Sequence, residues 1–587
     1  MAFIPILLSV VTTILSFYLG FSAFSNEDMR KLYINWEYFI LIANILLWLF
    51  AIIGAKSNNW HNEFLNYCKK HKWAIFLAFL LTLCGGFVSK PEFRILADET
   101  NLLSISQALY ENRECKNYTS ATYYYYGFKN VISYEIDKRP ALFPLTVSFF
   151  HSAFGYRPEN AFAVNILACF FSLLILYNLV CSRFGRFWGK CSMVLLSAYP
   201  LWVLYYTSAG FEVFNLLFSL ILFWYLAKFI KDPTAVNAEV LLLMLPLISQ
   251  TRYESSVALL SVLPAVFLML PKIEYRKFSY KLFILPLFFI PVAWLRLLTD
   301  NAKGLQVDEV GKAAFAWEHF LINIKKAVSF FRGEDIAYGV IPVVTYLALA
   351  GLIWLSLVTV TKAVKEKKLD YRRIIFWSGL LLFYFLHAVI RFAYYWGDLT
   401  YRFNSRLGII FLPIIVFGAV DFLYYISSKL RLRRIYFALF SVILLLIYWP
   451  VAGQNLGVRD LTLYREFRAA REYLERFYPN KNEYILVADR ANLYVPFKYS
   501  TVSFNYCNNN ISSLKNSLEN RTYNHILFLQ TIDKASGKAL NKCRIPDSIK
   551  PKTLYETQIR ADQYLRVSIY SVSMEKNFLL NKDFFEK

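Results

Sequence analysis

The sequence predicts an α-helical membrane protein with about thirteen membrane-spanning helices and a small C-terminal α/β domain outside the membrane. Hydrophobic residues make up 57% of the 587 positions. Apolar runs of about 20 residues, long enough to cross the hydrocarbon core as a helix, recur along most of the chain. Lysine and arginine gather in every second connection between these runs. After about residue 453 the long runs stop, and shorter helical and alternating patterns follow.

The apolar runs can be placed one by one. The first has no basic start and no small-residue cleavage site, which predicts a membrane anchor and not a removed signal. In chain order, the predicted membrane helices cover about residues 3–21, 36–55, 73–88, 160–181, 191–206, 212–230, 240–250, 255–270, 282–298, 338–360, 374–395, 407–426 and 435–451.

The basic residues predict the orientation in a plasma (inner) membrane. Connections rich in Lys and Arg are expected in the cytoplasm, because the positive-inside bias puts such loops there. The same bias accounts for the formal net charge of +23, so no nucleic-acid partner is predicted. The segments expected on the extracytoplasmic side are the loops 89–159 and 299–337, the turn 396–406 and everything from residue 454 onward.

The chain therefore divides into a membrane domain, residues 1–453 with both large outer loops, and a soluble α/β domain, residues 454–587. In the soluble domain, helices are predicted at about 464–477 and 511–519, and strands at about 483–488, 525–530 and 564–573. Cys507 and Cys543 lie in this domain. They would pair only in an oxidising compartment, and the sequence leaves their pairing open.

The first outer loop contains two charged pairs. Asp98 and Glu99 follow an apolar Ile-Leu step that predicts a loop pressed against the membrane face. A carboxylate there is partly desolvated, and such a group can act as a general base near neutral pH. Lys138 and Arg139 precede Pro140, and the arginine fork suits phosphate oxygens. The plainer interpretations are a solvated acidic pair and basic side chains that snorkel to the interface.

More charged residues fall at the outer ends of predicted helices. Glu212 begins one of them, where an acid either complements the helix dipole or belongs to a site. Arg402 and Arg406 run against the positive-inside bias, which favours a bound anion over a solvated face. The other candidates for an acceptor or pocket role are Arg252, Glu254, His387 and Arg391. The plainer interpretations are a mutual ion pair of Arg252 with Glu254 and a buried polar pair of His387 with Arg391.

Several kinds of site have no support in the sequence. It contains no glycine-rich phosphate loop, nucleophile elbow, HExxH motif or Cys/His metal spacing. No cofactor is therefore predicted with certainty. A divalent metal held by Asp98 and Glu212 stays open, although two acids do not define a metal site.

Three stretches together resemble the GT-C glycosyltransferases, multi-spanning enzymes that use polyprenyl-phosphate sugars. They are Ala97-Asp98-Glu99-Thr100 in the first outer loop, Lys138-Arg139-Pro140 running on to Phe154-Gly155, and the segment from Tyr401 to Pro413. The architecture is most similar to the branch that holds the lipid A aminoarabinose transferase, with the protein O-mannosyltransferases as relatives.

The resemblance implies a role for most of the charged candidates. Asp98 corresponds to the catalytic carboxylate, with Glu99 as its neighbour. Arg139, beside Lys138, falls where the family binds the donor phosphate, and Arg402 or Arg406 would hold that phosphate from the other side. Glu212 corresponds to a second acid. Relatives often have an acid or histidine at the position of Lys138, so the sugar and the acceptor are not defined.

The sequence therefore predicts a glycosyltransferase for hexosyl or pentosyl groups. The donor would be a polyprenyl-phosphate sugar in the membrane lipid, the acceptor an extracytoplasmic lipid, glycan or protein, and the transfer inverting. Asp98 would take the acceptor proton and the arginines would stabilise the leaving phosphate. The alternatives are an envelope polysaccharide polymerase or ligase, a flippase for lipid-linked sugars, and a non-catalytic scaffold.

Overall fold

The computed structural model of the chain describes residues 3–55, 60–123, 129–269, 282–300, 313–334, 340–366, 371–401, 403–454, 462–546 and 549–571. It forms two compact units, each built from several pieces of the chain. Unit one comprises Met1–Arg94, Arg113–Cys115 and Lys138–Leu456, and unit two comprises Ile95–Asn112, Lys116–Asp137 and Gly457–Lys587.

The helices, in chain order, are α1 (Phe3–Phe21), α2 (Asn26–Gly54), α3 (Trp60–Val88), α4 (Leu96–Asn112), α5 (Leu142–Phe154), α6 (Asn160–Phe184), α7 (Arg186–Ala198), α8 (Pro200–Tyr206), α9 (Glu212–Lys231), α10 (Ala235–Ser249), α11 (Ala258–Met269), α12 (Ile290–Asp300), α13 (Trp317–Arg332), α14 (Pro342–Glu366), α15 (Tyr371–Ala393), α16 (Leu412–Lys429), α17 (Arg434–Gln454), α18 (Thr462–Phe477), α19 (Phe504–Asn509) and α20 (Ile511–Glu519). The strands are β1 (Asn117–Tyr123), β2 (Lys129–Glu135), β3 (Tyr484–Ala488), β4 (Thr501–Val502), β5 (His525–Asp533), β6 (Lys552–Gln558) and β7 (Gln563–Tyr570).

Unit one is a bundle of apolar helices, and the protein is a polytopic membrane protein. Within the described residues, seven helices are long and apolar enough to cross a membrane, and an eighth span results if the bent pair α7 and α8 is counted as one. Six shorter apolar helices accompany them. One of these, α5, was not predicted, and the total of about thirteen spans stays a prediction.

The predicted crossing at 191–206 is two helices that meet at an angle of 77°. Tyr199, between them, has an extended backbone (φ −66°, ψ 122°). The residue before a proline avoids the helical region, and Pro200 has no N–H to continue the ladder. Pro200 therefore ends one helix and starts the next.

Small residues bring α14 and α16 together in unit one. A Cβ built on Gly351 would overlap the carbonyl oxygen of Gly418, and a Cβ on Gly418 would meet the carbonyl oxygen of Ala348 at 3.1 Å. Such close backbone approach is typical of helix pairs in membranes, where packing replaces the hydrophobic driving force.

Unit two is built on a seven-stranded sheet in the order β2-β1-β4-β3-β5-β7-β6. The central pairs β4-β3 and β3-β5 are parallel, and the other pairs are antiparallel. Three of these strands, β3, β5 and β7, and the helices α18 and α20 were predicted, which confirms a C-terminal α/β fold.

The sheet also contains strands that were not predicted, and two of them, β1 and β2, come from the first outer loop. The sequence placed that loop with the membrane domain, whereas residues 95–112 and 116–137 group with unit two. Cys507 and Cys543, whose pairing was open, are both free thiols buried in the hydrophobic core of this unit.

Candidate functional site

A short connection in unit one carries two of the candidate charges. Helix α10 ends at Ser249, and Gln250 caps it by donating its backbone N–H to the last carbonyls. Arg252 then adopts an extended conformation (φ −153°, ψ 143°), and a single 3₁₀ turn begins at Tyr253. This break in the helix directs the side chains of Arg252 and Glu254 toward each other.

Arg252 and Glu254 form a two-pronged ion pair. The Nε and Nη2 atoms of Arg252 donate to the two carboxylate oxygens of Glu254 at 3.2 and 3.0 Å. Arg391 of α15 adds a second positive charge, with its Nη1 3.8 Å from Glu254 Oε1. All three side chains are less than 10% exposed. The position of Glu254 is therefore fixed from two sides.

The same arginine connects Glu254 to a second carboxylate. Arg252 Nη1 donates to Glu212 Oε1 at 3.3 Å, and Arg406 Nη1 lies 3.0 Å from that oxygen. The Arg252 guanidinium also stacks over the ring of Phe211, 4.5 Å from its centre. Burial acts to lower the pKa of Arg252, but the two carboxylates outweigh it and raise that pKa. Arg252 stays charged.

Neutral polar groups complete the cluster. The amide oxygen of Asn215, one turn after Glu212, accepts from the hydroxyls of Thr251 at 2.6 Å and Ser255 at 2.7 Å. His387 Nε2 lies 3.5 Å from the Ser255 hydroxyl, and its Nδ1 lies 3.2 Å from the carbonyl oxygen of Phe383. These contacts tie α9, α15 and the connection after α10 into one framework.

We call this set of five charged residues the arginine cluster: Glu212, Arg252, Glu254, Arg391 and Arg406. They line one small cavity of about 30 Å³, together with Asn215 and His387. Three guanidinium groups against two carboxylates leave one formal positive charge. Glu212 Oε2 and Arg391 Nε are buried and have no hydrogen-bond partner among the described residues. The cavity therefore suits an anion that also accepts and donates hydrogen bonds.

A second, larger cavity of about 230 Å³ shares Glu254 with the first. Its lining mixes charged, hydroxyl-bearing, amide and apolar side chains. They are Lys138, Pro140, Gln250, Tyr253, Glu254, Ser256, Val292, Leu295, Arg296, Thr299, Phe315 and Ile390. Of the predicted phosphate-binding pair, Lys138 thus lines this cavity, and Arg139 is buried at 9% exposure.

Asp98 and Glu99 belong to unit two, where they form the first turn of α4. Glu99 is 1% exposed, and its Oε1 accepts from the backbone N–H of Ile95 at 3.2 Å. Glu99 therefore satisfies one of the unpaired N–H groups at the start of the helix. Asp98 is half-buried. The geometry therefore gives Glu99 a structural role at the start of α4.

The predicted residues are thus brought together in part. Six of them, Glu212, Arg252, Glu254, His387, Arg391 and Arg406, line a single cavity. Arg402 lies outside the described residues. Asn215 and Gln250 were missed, and the available signal for Asn215 was a polar residue one turn beyond Glu212 inside an apolar helix.

The metal hypothesis receives no geometric support at Glu212. Among the described residues, no three His, Cys, Asp or Glu side chains come together as a metal-binding group. Two guanidinium groups lie beside the Glu212 carboxylate and oppose a cation there.

No protein-family model matches the chain, and no curated protein is significantly similar to it. Among solved structures, the Archaeoglobus fulgidus oligosaccharyltransferase with a tethered acceptor peptide is similar over 82% of this chain and 75% of its own, with 10% identity and a TM-score of 0.41. ArnT from Cupriavidus metallidurans is similar over 85% of this chain and 98% of its own, with 10% identity. Its TM-scores are 0.42 in the apo state and 0.39 with undecaprenyl phosphate bound. Similarity at this level carries no argument about function, which has to come from the residues themselves.

Proposed function

We propose that the protein is a membrane glycosyltransferase that moves a sugar from a polyprenyl phosphate to an acceptor on the extracytoplasmic side. The observation that carries the proposal is the arginine cluster. It lines a cavity formed where apolar helices begin or end, so a ligand there can keep a lipid tail in the membrane. A monoanionic or dianionic phosphate on a lipid is the chemistry that this combination fits.

The arginines supply what a leaving phosphate needs. As the bond between the sugar and the phosphate breaks, negative charge grows on the phosphate oxygens. Guanidinium groups in a buried, preorganised site stabilise that charge without reorganisation of water. Glu212 holds Arg252 and Arg406 in place, and Glu254 holds Arg252 and Arg391. Because the arginines are positioned before the ligand arrives, the free-energy cost of binding it is lower.

Asp98 remains the proposed catalytic base, on the grounds of its sequence context and its half-buried position at a helix start. In the proposed step, an acceptor hydroxyl oxygen forms a bond to the anomeric carbon of the sugar. The carbon–oxygen bond to the phosphate breaks, polyprenyl phosphate leaves with the electron pair, and Asp98 takes the hydroxyl proton. An acceptor that is itself a phosphate would need no base, and Asp98 would then orient it.

The proposal is tested with the purified full-length protein and a radiolabelled polyprenyl-phosphate sugar. We expect the protein to bind the lipid and to release free polyprenyl phosphate when membranes from the organism that makes the protein are added as the source of acceptor. Transfer of the label to the acceptor fraction should accompany the release. A protein that moves the intact lipid across vesicles without releasing the phosphate would be a flippase, and a protein that does neither would be a scaffold. Either result would overturn the proposal.

A further inference from the structure

A carboxyl group lies buried on a membrane helix outside the arginine cluster. Glu37 is 0% exposed and belongs to the face of α2 that also buries Tyr33, Leu41 and Asn44. Neither of its carboxyl oxygens has a hydrogen-bond partner among the described residues. The helix begins at Asn26, so Glu37 stands about three turns inside it.

Such a residue is costly for the fold. Burying a polar group without a hydrogen bond costs free energy, and a charged one costs more. A hydrophobic side chain of similar volume would serve the packing of this face as well or better. An ionisable residue inside a membrane helix is by default a candidate for function.

The side chain of Gln250, at the end of α10, lies near the Glu37 carboxyl group without forming a hydrogen bond of good geometry with it. Gln250 is 1% exposed, and its Oε1 also lacks a partner in the described part of the chain. Its backbone is fixed, because its N–H caps α10 and its carbonyl oxygen accepts from the Leu142 N–H at 3.2 Å. Both neighbouring side chains therefore carry buried oxygens with unused hydrogen-bonding capacity.

Gln250 also lines the second cavity, which differs from the first in its chemistry. Its lining includes the hydroxyl-bearing residues Tyr253, Ser256 and Thr299, the aromatic residue Phe315 and the amide residue Gln250. Neutral donors and acceptors beside an aromatic face suit a polyhydroxylated group. Of the charged lining residues, Glu254 is already bound by Arg252 and Arg391, and Lys138 and Arg296 are the two cations.

We propose that the second cavity is the subsite for the sugar, in which the Gln250 amide forms a hydrogen bond with a sugar hydroxyl and Glu37 holds that amide in place. Gln250 would then determine specificity, and Glu37 would be a positioning residue that acts through it. The inference rests on the proposed function, because it assigns the sugar of the same donor to the cavity that shares Glu254 with the phosphate site.

The test compares binding of a bare polyprenyl monophosphate with binding of the same lipid carrying mannose, glucose or arabinose. The ratio of the two dissociation constants is the sugar gain. In the full-length protein, we expect a gain for at least one of these sugars. Gln250→Ala should lower that gain about tenfold, since a site built to bind a hydroxyl loses about that much when its partner is missing, and it should leave binding of the bare lipid unchanged.

Glu37 is tested by three matched variants of α2. Glu37→Leu should lower the sugar gain in the same direction as Gln250→Ala, and it should not lower the thermal stability. Glu37→Gln keeps a donor and an acceptor and should retain the gain. Asn44→Leu removes another buried, partnerless oxygen from the same helix face and should leave the sugar gain unchanged, because Asn44 lies about two helical turns beyond Glu37.

The outcomes separate this inference from the proposed function. An unchanged gain in both Gln250→Ala and Glu37→Leu, or no gain for any sugar in the unaltered protein, would overturn the sugar subsite. Loss of the gain in Glu37→Gln as large as in Glu37→Leu would overturn the positioning role. Failure of the unaltered protein to bind even the bare lipid would instead remove the proposed function on which both depend.

Discussion

Arg252 holds Glu254 through two hydrogen bonds of 3.2 and 3.0 Å although the two residues stand only two positions apart in the chain. The pairing requires the extended conformation of Arg252 between the end of α10 and the following 3₁₀ turn. It also leaves the third guanidinium nitrogen, Nη1, directed at Glu212. One broken helix thus organises most of the arginine cluster.

Removing Glu254 should destabilise the protein. Glu254→Ala leaves Arg252 and Arg391 buried without that carboxylate, and breaking a buried pair in this way typically costs about 3–5 kcal/mol. We expect a clearly lower midpoint of thermal unfolding in detergent. Glu334→Ala is the control, because Glu334 forms an exposed pair with Arg332 at 4.0 Å and its loss should cost less than about 1 kcal/mol. Equal losses in the two variants would contradict the structural role of Glu254.

Arg406 should contribute directly to phosphate binding. Arg406→Ala removes one of the three guanidinium groups of the cavity, and charged hydrogen bonds are worth about 1.5–3 kcal/mol, or about tenfold to a hundredfold in affinity. Binding of a bare polyprenyl monophosphate to the purified protein measures the effect. Arg332→Ala, which removes an exposed arginine of the same unit, should leave the affinity unchanged. Full affinity in Arg406→Ala would place the lipid phosphate elsewhere.

Asp98→Asn should abolish transfer to a hydroxyl acceptor and leave donor binding intact, because the amide cannot take a proton. Acceptor-dependent release of polyprenyl phosphate and direct binding of the donor, measured side by side, separate the two effects. Asp28→Asn is matched to it, since Asp28 is also an acid in the first turn of a helix. Unimpaired transfer in Asp98→Asn would exclude it as the base.

Glu99→Gln should behave differently from Asp98→Asn. The glutamine oxygen can still accept from the Ile95 N–H, so the start of α4 is preserved. We expect transfer to continue and thermal stability to change by less than about 1 kcal/mol. Loss of transfer without loss of stability would show that Glu99 takes part in the chemistry.

Gly210→Ala should weaken phosphate binding although no charged residue is replaced. The added Cβ would overlap Glu212 Oε2, and the carboxylate would have to turn away from its arginines. Gly86→Ala is the control, because its nearest atom would be the Tyr206 hydroxyl oxygen at 4.0 Å. The affinity for a bare polyprenyl monophosphate is measured for both variants. Equal affinities would mean that phosphate binding does not depend on the orientation of Glu212.

The membrane helices were predictable because apolar length is a direct physical requirement of a bilayer. Breaks within them were harder. The bend at Tyr199–Pro200 lies inside a continuous apolar run, and only the proline marks it. The strands β1 and β2 were missed because they are rich in polar residues and tyrosine. In addition, one of the strands that pairs with β1, the strand β4, follows hundreds of residues later in the chain.

The charged members of the site could be found because charge inside or beside an apolar run is rare. Neutral polar residues give no comparable signal, so Asn215 and Gln250 were missed. Glu37 stood at the second residue of the predicted helix, where an acid is ordinary. The structure starts that helix at Asn26, and this difference of ten residues turns an interfacial acid into a buried one.

Glu254 borders both cavities, so binding in one cavity would be coupled to binding in the other. An anion in the arginine cavity would compete with Glu254 for Arg252 and Arg391, and would so change the field that the carboxylate exerts on the neighbouring cavity. The occupant of one cavity would therefore alter the affinity of the other, and the effect must be equal in both directions. The protein would bind a donor that fills both cavities and a product that fills only one with different affinities, and the shared side chain of Glu254 would be the reason.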